Sequence, residues 1–598
     1  MQARSDETSD RLGTDVRREI VPPFEELTAP AKGRREVELY LRTYMTLLES
    51  SGAVSVRSLE PAHLTSGSSL HAGAEEPEPD MNAFLYSANR IPACIVRVNH
   101  ILLGQTRNAF INGVQEDVQT WEPVSAPGRR RRWYWDGGDR LAAFIASSSD
   151  LDDFIPSIVA YQFEWNKMSR LLRDVKDVYI EFLANDEDPD AGLQDRLREA
   201  VLMSPQDWAR LQGVWGDQMW VNMRLLARAR KRMDLRMLGG TYLGYGRSTR
   251  SWWHPVAEKI GAHELRNRPV YFVSSNTHSI VNTLSGVAKR REAELTRFID
   301  ETKHPELYPE LNWYREGKSR SSLENLLYFA ARPYFHGPNR TAEREQRQQE
   351  EEAVGITHFE PTGAVDVGIQ VIEMAKLDTA SFDPRLPAPN LVESDALIVN
   401  INYPLGVAAY HIMSQIGLSL DHLQGVYILG KAATLNGRIG DIMMSNVVYD
   451  EHSGNTFWFR NCFGYEQLSP YLVFGAALDN QKAVTVKGTY LQNQGYLDFY
   501  YRENYTVVEM EAGPYLSALY EDVFLERHPG NQAINLAPLN DHFDLGIIHY
   551  ASDTPYTRAH TLGARGLSFY GMDSTYASTI AILQRIFSLE EARLRGLE

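Results

Sequence analysis

Hydrophobic and polar positions follow two regimes along the chain, changing near residue 266. Before that point the apolar residues recur mainly at helical spacing. Residues 35–50 (R-E-V-E-L-Y-L-R-T-Y-M-T-L-L-E-S) place Val37, Leu39, Leu41, Tyr44, Leu47 and Leu48 so as to predict an amphipathic helix. Residues 60–80, rich in Ser, Gly, Ala, Glu and Pro, predict a loop, and residues 92–118 and 151–183 carry a mainly helical rhythm. Residues 205–238 offer a wide apolar face of Trp208, Leu211, Trp215, Trp220, Met223 and Leu226. The glycines of residues 239–247 then interrupt the pattern without the strand or spacing of a dinucleotide-binding turn.

After residue 266 short β-branched runs alternate with helical stretches. Residues 269–286 read as strand, polar loop and helix, with Ser274, Ser275, Asn276, Thr277 and His278 in the loop. The charge run 341–353 predicts an exposed helix or linker, and residues 367–376 predict a helix. Strands follow at 396–401, 423–429 and 442–448. Residues 505–514 (Y-T-V-V-E-M-E-A-G-P) join a last strand to a helix and set Glu509 and Glu511 at the joint. In open α/β folds, ligands bind at such strand-to-helix junctions. The expected fold is α/β: a flexible arm (1–32), a mostly helical domain (33–265), then a domain (266–598) on a central mixed, largely parallel sheet, with an insertion or linker at about 300–355.

Composition narrows the function. A formal charge of −17 argues against general nucleic-acid or anionic-membrane binding. No run reaches the ~18 apolar residues of a membrane span. Cys94 and Cys462 lack metal-ligand spacing, and the opening M-Q-A-R-S-D-E-T-S-D has no apolar signal core, so the expectation is a cytoplasmic protein. Arg129 to Arg132 with Trp133, Tyr134 and Trp135 form one basic and aromatic cluster, read as a solvated or subunit-contact loop in preference to a nucleic-acid site.

Several motifs occur in a telling order: G-K-A-A-T-L at residues 430–435, Gly440 with Asp441, V-E-M-E-A at 508–512, and Ser552 with Asp553. This ordered set resembles the nucleoside phosphorylase and nucleosidase superfamily. The resemblance covers about a third of the chain, residues 398–573, and implies cleavage of the N-glycosidic bond of a purine nucleoside or nucleotide. It implies that Glu511 takes ribose hydroxyls, that Met510 packs under the sugar and that Asp553, with Ser552 beside it, protonates the departing base. Gly406, Gly430, Lys431 and Ala432 would line the pocket. Tyr496 fits the base-stacking position by spacing, with Tyr490 as rival and an ordinary core tyrosine as the other reading for either.

Lys431, Lys482, Arg558 and Arg565 are candidates for a substrate phosphate, against a duller reading as surface ion pairs. Asp450, Glu451 and His452 are candidate metal ligands, but adjacent side chains diverge and the superfamily needs no metal. No glycine-and-arginine phosphate loop precedes Gly406, which favours hydrolysis over phosphorolysis. The early acid that activates water in nucleosidases is missing too, leaving Asn276 or His278 as substitutes. The expectation is therefore a nucleosidase without cofactor, homo-oligomeric by resemblance. The alternatives are a phosphorylase using phosphate as co-substrate and a catalytically silent nucleotide-sensing protein.

Overall fold

The computed structural model describes residues 29–50, 52–184, 187–337, 339–524, 529–538, 542–554 and 569–596. Residues 1–28 of the expected arm lie outside the described residues, as do Arg558 and Arg565. The architecture is mixed α/β, with two sheets and helices throughout.

The first sheet holds β1 (Val54–Ser55), β2 (His100–Gly104), β3 (Glu122–Ala126), β4 (Arg129–Trp135), β5 (Arg140–Phe144) and β6 (Asp234–Met237), in the order β1-β6-β2-β5-β4-β3. Two sequence expectations are corrected here. Residues 92–118 are not mainly helical: β2 is a buried central strand, and the helix is confined to Arg107–Val114. The basic cluster is not a solvated loop, because it forms β4, paired with β3 and β5. Its period-two alternation explains this. Arg129, Arg131 and Trp133 fall on one face, where Trp133 is buried and both guanidinium groups reach acids on the helix Ser148–Asp174.

The second sheet contains β7 (Val270–Ser275), β8 (Ile356–Phe359), β9 (Ile369–Glu373), β10 (Leu397–Asn402), β11 (Leu423–Thr434), β12 (Ile442–Asp450), β13 (Thr456–Trp458), β14 (Ala477–Thr485), β15 (Val507–Glu509), β16 (Ala533–Asn535) and β17 (Asp544–Asp553). β7 runs parallel to β10 and β11, while β9 runs antiparallel to β10. The expected helix at 367–376 is thus a strand. Its short apolar run suits either element by periodicity, and burial on both faces decides for the sheet: Ile369 and Val371 enter one apolar cluster, Ile372 the other. The expected exposed helix at Thr341–Ala353 is present.

Five strands close on themselves. β11 pairs β17, β17 pairs β12, β12 pairs β14, β14 pairs β15, and β15 returns to β11. The strand expected at 423–429 runs on through Thr434 as part of this small barrel. The second sheet is packed on both faces. Val270 and Phe272 join Trp252, Ile412 and Leu516 on one side, and Tyr271 and Val273 join Ile580, Leu583 and Ile586 on the other.

The two parts of the chain share a core. One cluster runs from Tyr40, Phe84 and Trp165 through to Leu435, Val484, Leu497 and Val508. At the same seam Asp153 accepts from Arg129 at 2.6 and 2.9 Å and lies 3.4 Å from Arg131. Burial alone would raise the Asp153 pKa, but Arg129, then Arg131 and Arg90, hold it well below the usual carboxylate range. Its contribution to stability is therefore present above the unfolded value of about 4 and lost as pH falls through the depressed folded value. Asp153→Asn leaves buried guanidinium groups short of a counter-charge and is expected to cost about 3–5 kcal/mol in urea unfolding at pH 7. An unchanged midpoint would show that the seam does not depend on this carboxylate.

Candidate functional site at the barrel rim

Thr506, Val507 and Val508 favour extended backbone, and the chain turns into the helix Ala512–Val523 immediately after Glu509. The turn is fastened by Glu509, to which the sequence had assigned no task. Its Oε2 accepts from the N–H groups of Glu511 and Ala512, each at 2.7 Å, satisfying donors that a helix start leaves free. The Thr485 hydroxyl donates to its other oxygen and accepts from Gly513 N–H at 2.8 Å. His549 Nε2 stands 3.8 Å away. Glu509 is thus buried and fully engaged, whereas Glu511, at the helix N-cap position, is half-buried.

Glu511 Oε1 accepts one long hydrogen bond, 3.3 Å, from Gly406 N–H. Gly406 follows β10 with φ of +53°, and a Cβ there would lie 2.2 Å from Ser149 Oγ. Glycine is required on both counts. Ser149 accepts from Val407 N–H at 2.9 Å, so the helix Ser148–Asp174 from the first part of the chain closes over this loop. Met510 is half-buried and packs against the shared core.

Asp553 is the last residue of β17. In the barrel, Ala433 is the register partner of both Val508 and Asp553, so the two acidic segments flank one residue of β11. Two strand spacings put their backbones about 10 Å apart. Ser552 Oγ lies 2.9 Å from Asp553 Oδ2 and 3.3 Å from the Ala432 carbonyl oxygen. Lys431 stands two residues before Ala433 on the same face. Its side chain is exposed by accessible area, yet desolvation lowers the ammonium's pKa, as does the charge of Arg129 and Arg90, while Asp553 and Glu511 oppose the shift.

Burial pushes the Glu511 pKa up to about 7, against the pull of Gly406 N–H and the charges of Arg129 and Lys431. Burial, then the charge of Glu511, pushes Glu509 to about 8, against its hydroxyl and amide donors. Two adjacent acids share a poorly solvated space, and a ligand donating hydroxyls to Glu511 would favour its ionised form.

Other expected site residues are placed differently. Gly430 lies in β11 beside His549, and Ala432 is buried within the sheet. Asn276 Oδ1 caps the helix Ser279–Ser285 by accepting from His278 and Ser279 N–H at 3.0 and 2.6 Å. His278 faces Tyr576 Oη at 3.4 Å, and burial followed by the charges of Arg332 and Arg347 lowers its pKa to about 3, keeping it neutral. Tyr496 packs beside Tyr500 in the shared core, and Tyr490 donates to the Ala83 carbonyl at 2.7 Å. Both tyrosines follow the core reading. Asp450 turns inward to accept from His452 and Ser453 N–H, and no metal-binding group of three ligands occurs among the described residues. Sequence reading missed Arg90 and Ser149 and put Arg129 in a loop, although the alternation in β4 carried a signal for its place in the sheet.

A family model described as a family of unknown function (DUF6909) matches residues 56–588. The chain belongs to DUF6909. No curated protein matches this DUF6909 member. Among solved structures it is similar to a putative methylthioadenosine nucleosidase from Weissella paramesenteroides, at 13% identity and a TM-score of 0.24, over 40% of this chain and 91% of that one. An S-adenosylhomocysteine nucleosidase from Streptococcus pyogenes gives 9% identity and a TM-score of 0.26, over 39% and 89%. A uridine phosphorylase from Vibrio fischeri gives 11% and 0.25, over 42% and 86%. Scores this low carry no argument about function, which rests on the crevice itself. No helix among the described residues is long and apolar enough to cross a membrane.

Thr485→Val tests the fastening of the turn. It leaves Gly513 N–H without its acceptor and Glu509 without a donor, and is expected to cost about 1–3 kcal/mol in chemical denaturation. A neutral substitution would mean that the turn is held by its backbone alone.

Proposed function

We propose that this protein cleaves the N-glycosidic bond of a purine nucleoside or nucleotide by hydrolysis. The observation that carries the reading is Glu511, half-buried at a turn that Glu509 fastens, with Asp553 and the strand of that turn flanking the same residue of β11. Breaking this bond builds positive charge on the sugar ring and negative charge on the base. A carboxylate beside the sugar accepts its hydroxyls and lies near the developing cation. An acid across the crevice protonates the base as it leaves. Because the transition state is dissociative, the electrophilic sugar carbon is captured by water with little activation. That agrees with a loop in which the His278 ring is turned toward Tyr576.

Liquid chromatography of reactions with adenosine, guanosine and their 5′-monophosphates is expected to detect free base and free ribose or ribose phosphate, without added phosphate. Glu511→Gln and Asp553→Asn are each expected to lower kcat/KM by about 100-fold or more while leaving the melting temperature near that of the wild type. Binding of these compounds with no base release would leave a nucleotide-sensing protein. Strict dependence on phosphate would leave a phosphorylase.

The pH profile gives a second test. Glu511 must be ionised to accept sugar hydroxyls and has its pKa raised to about 7, so kcat/KM is expected to fall as pH drops below that value. A profile flat from pH 5 to 8 would contradict the assignment of Glu511.

A further inference from the structure

In a chain whose acids outnumber its bases, 78 to 61, residues 228–232 (R-A-R-K-R) hold four bases and no acid. They link the helix Met219–Arg228 to β6. Ala229 is extended, at φ −143° and ψ 141°, and the side chains then alternate: Lys231 and Met233 are buried, Arg230 and Arg232 exposed. Inward contacts fix this alternation. Asn166 Oδ1 accepts from Lys231 N–H at 2.7 Å, and Asn166 Nδ2 donates to the Lys231 carbonyl at 3.0 Å. Gln162 accepts from Met233 N–H at 2.7 Å, and the Lys231 ammonium donates to the Val96 carbonyl at 3.0 Å. Arg173 Nε donates to the Ala227 carbonyl at 3.1 Å, which brings the end of the helix Ser148–Asp174 against the same segment.

The outward side chains line a shallow cleft of about 520 Å³, formed by Arg173, Arg228, Ala229, Arg230 and Arg232. Neither an acid nor an aromatic ring stands in its lining. Arg173, Arg230 and Arg232 have no ion pair among the described residues. Asp234, the acid nearest in sequence to Arg232, is taken by His100 at 2.8 Å. A helix C-terminus favours positive charge, which accounts for Arg173 and Arg228 in the last turns of their helices. It does not account for Arg230 and Arg232, which lie beyond the helix. Like charges gathered on a fixed backbone repel one another until an anion sits among them.

We infer that this cleft binds a chain of two or more linked phosphates. Three cations without counter-ions exceed the charge of a single phosphate group, and guanidinium forks take phosphate oxygens in pairs. Extended backbone sets the Cα atoms of Arg230 and Arg232 about 7 Å apart, which suits neighbouring phosphates of one chain. Nucleic acid fits less well. The lining offers no ring on which a base could stack, and the formal charge of −17 repels a long polyanion beyond the cleft. The site is separate from Glu511, since Arg173 stands about 36 Å along its helix from Ser149. The inference goes beyond the glycosidic reading and draws nothing from it.

The test titrates inorganic triphosphate into the full-length protein by calorimetry. Saturable one-to-one binding is expected, weakened about tenfold or more by Arg230→Gln and by Arg232→Gln. Lys259→Gln, at an exposed position on the helix Tyr242–Ile260, is expected to leave it unchanged. Both arginines are exposed, so their variants are expected to keep the melting temperature of the wild type, which separates weakened binding from unfolding. No saturable binding at about 1 mM triphosphate, or binding indifferent to both arginine substitutions, overturns the site.

A nucleoside triphosphate separates the two sources of such a chain, and either outcome supports the site. Affinity equal to that of inorganic triphosphate means that the phosphates alone are read. Tighter binding means that the nucleoside is held as well. A single-stranded RNA oligonucleotide that binds more tightly than either, and loses affinity in the same variants, overturns the site in favour of a nucleic-acid surface. Triphosphate binding lost in Arg230→Gln, with no base release from any nucleoside, sustains this site while overturning the glycosidic reading. Base release without triphosphate binding does the reverse.

Discussion

One backbone contact joins the parts of this molecule: Gly406, in a left-handed conformation, points its N–H at Glu511 and presents its bare Cα to Ser149. A side chain at 406 would collide with Ser149, and a right-handed residue would turn the amide elsewhere. The contact brings three distant segments to one point: the start of the helix Ser148–Asp174, the loop after β10, and the turn after β15. The surroundings of Glu511 consequently come from both parts of the chain: the turn at the barrel rim and the start of the helix Ser148–Asp174.

Burying acids at such a seam is unfavourable unless they are paired or hydrogen-bonded. The molecule meets this in two ways. Asp150 and Asp153 are matched by Arg131 and Arg129, which keeps them charged. Glu509 instead receives two amides and a hydroxyl, while Glu511 has a single long contact and stays near neutrality in its pKa. The least satisfied of the four acids is the one that faces the crevice. This is the arrangement expected of a group whose partners arrive with a ligand.

Much of this was legible in the sequence because it rests on local pattern. The run V-Y-F-V at 270–273 reads as an apolar strand, and V-V-E-M-E-A reads as a strand passing into a helix. Asp553 was recoverable as the end of an apolar strand. What stayed hidden depends on contacts remote in sequence. Glu509 acquires its task from Thr485, 24 residues away, and from amides that are free only because a helix starts there. The residues 129–135 look like an exposed loop until the acids of the helix Ser148–Asp174 are set opposite them. Residues 369–373 fit a helix or a strand until neighbours cover both faces. Tyr496 fits the base-stacking position by spacing, yet it packs beside Tyr500 in the core shared by the two parts of the chain.

The account turns on whether Glu511 is the group that holds a sugar. The most direct measurement is a crystal structure of the full chain with an uncleavable purine nucleoside analogue. The account predicts sugar hydroxyls within hydrogen-bonding distance of the Glu511 carboxylate, the ring over Met510 and the base reaching toward Asp553. A ligand seated elsewhere, or one in this crevice with its hydroxyls turned away from Glu511, would contradict it.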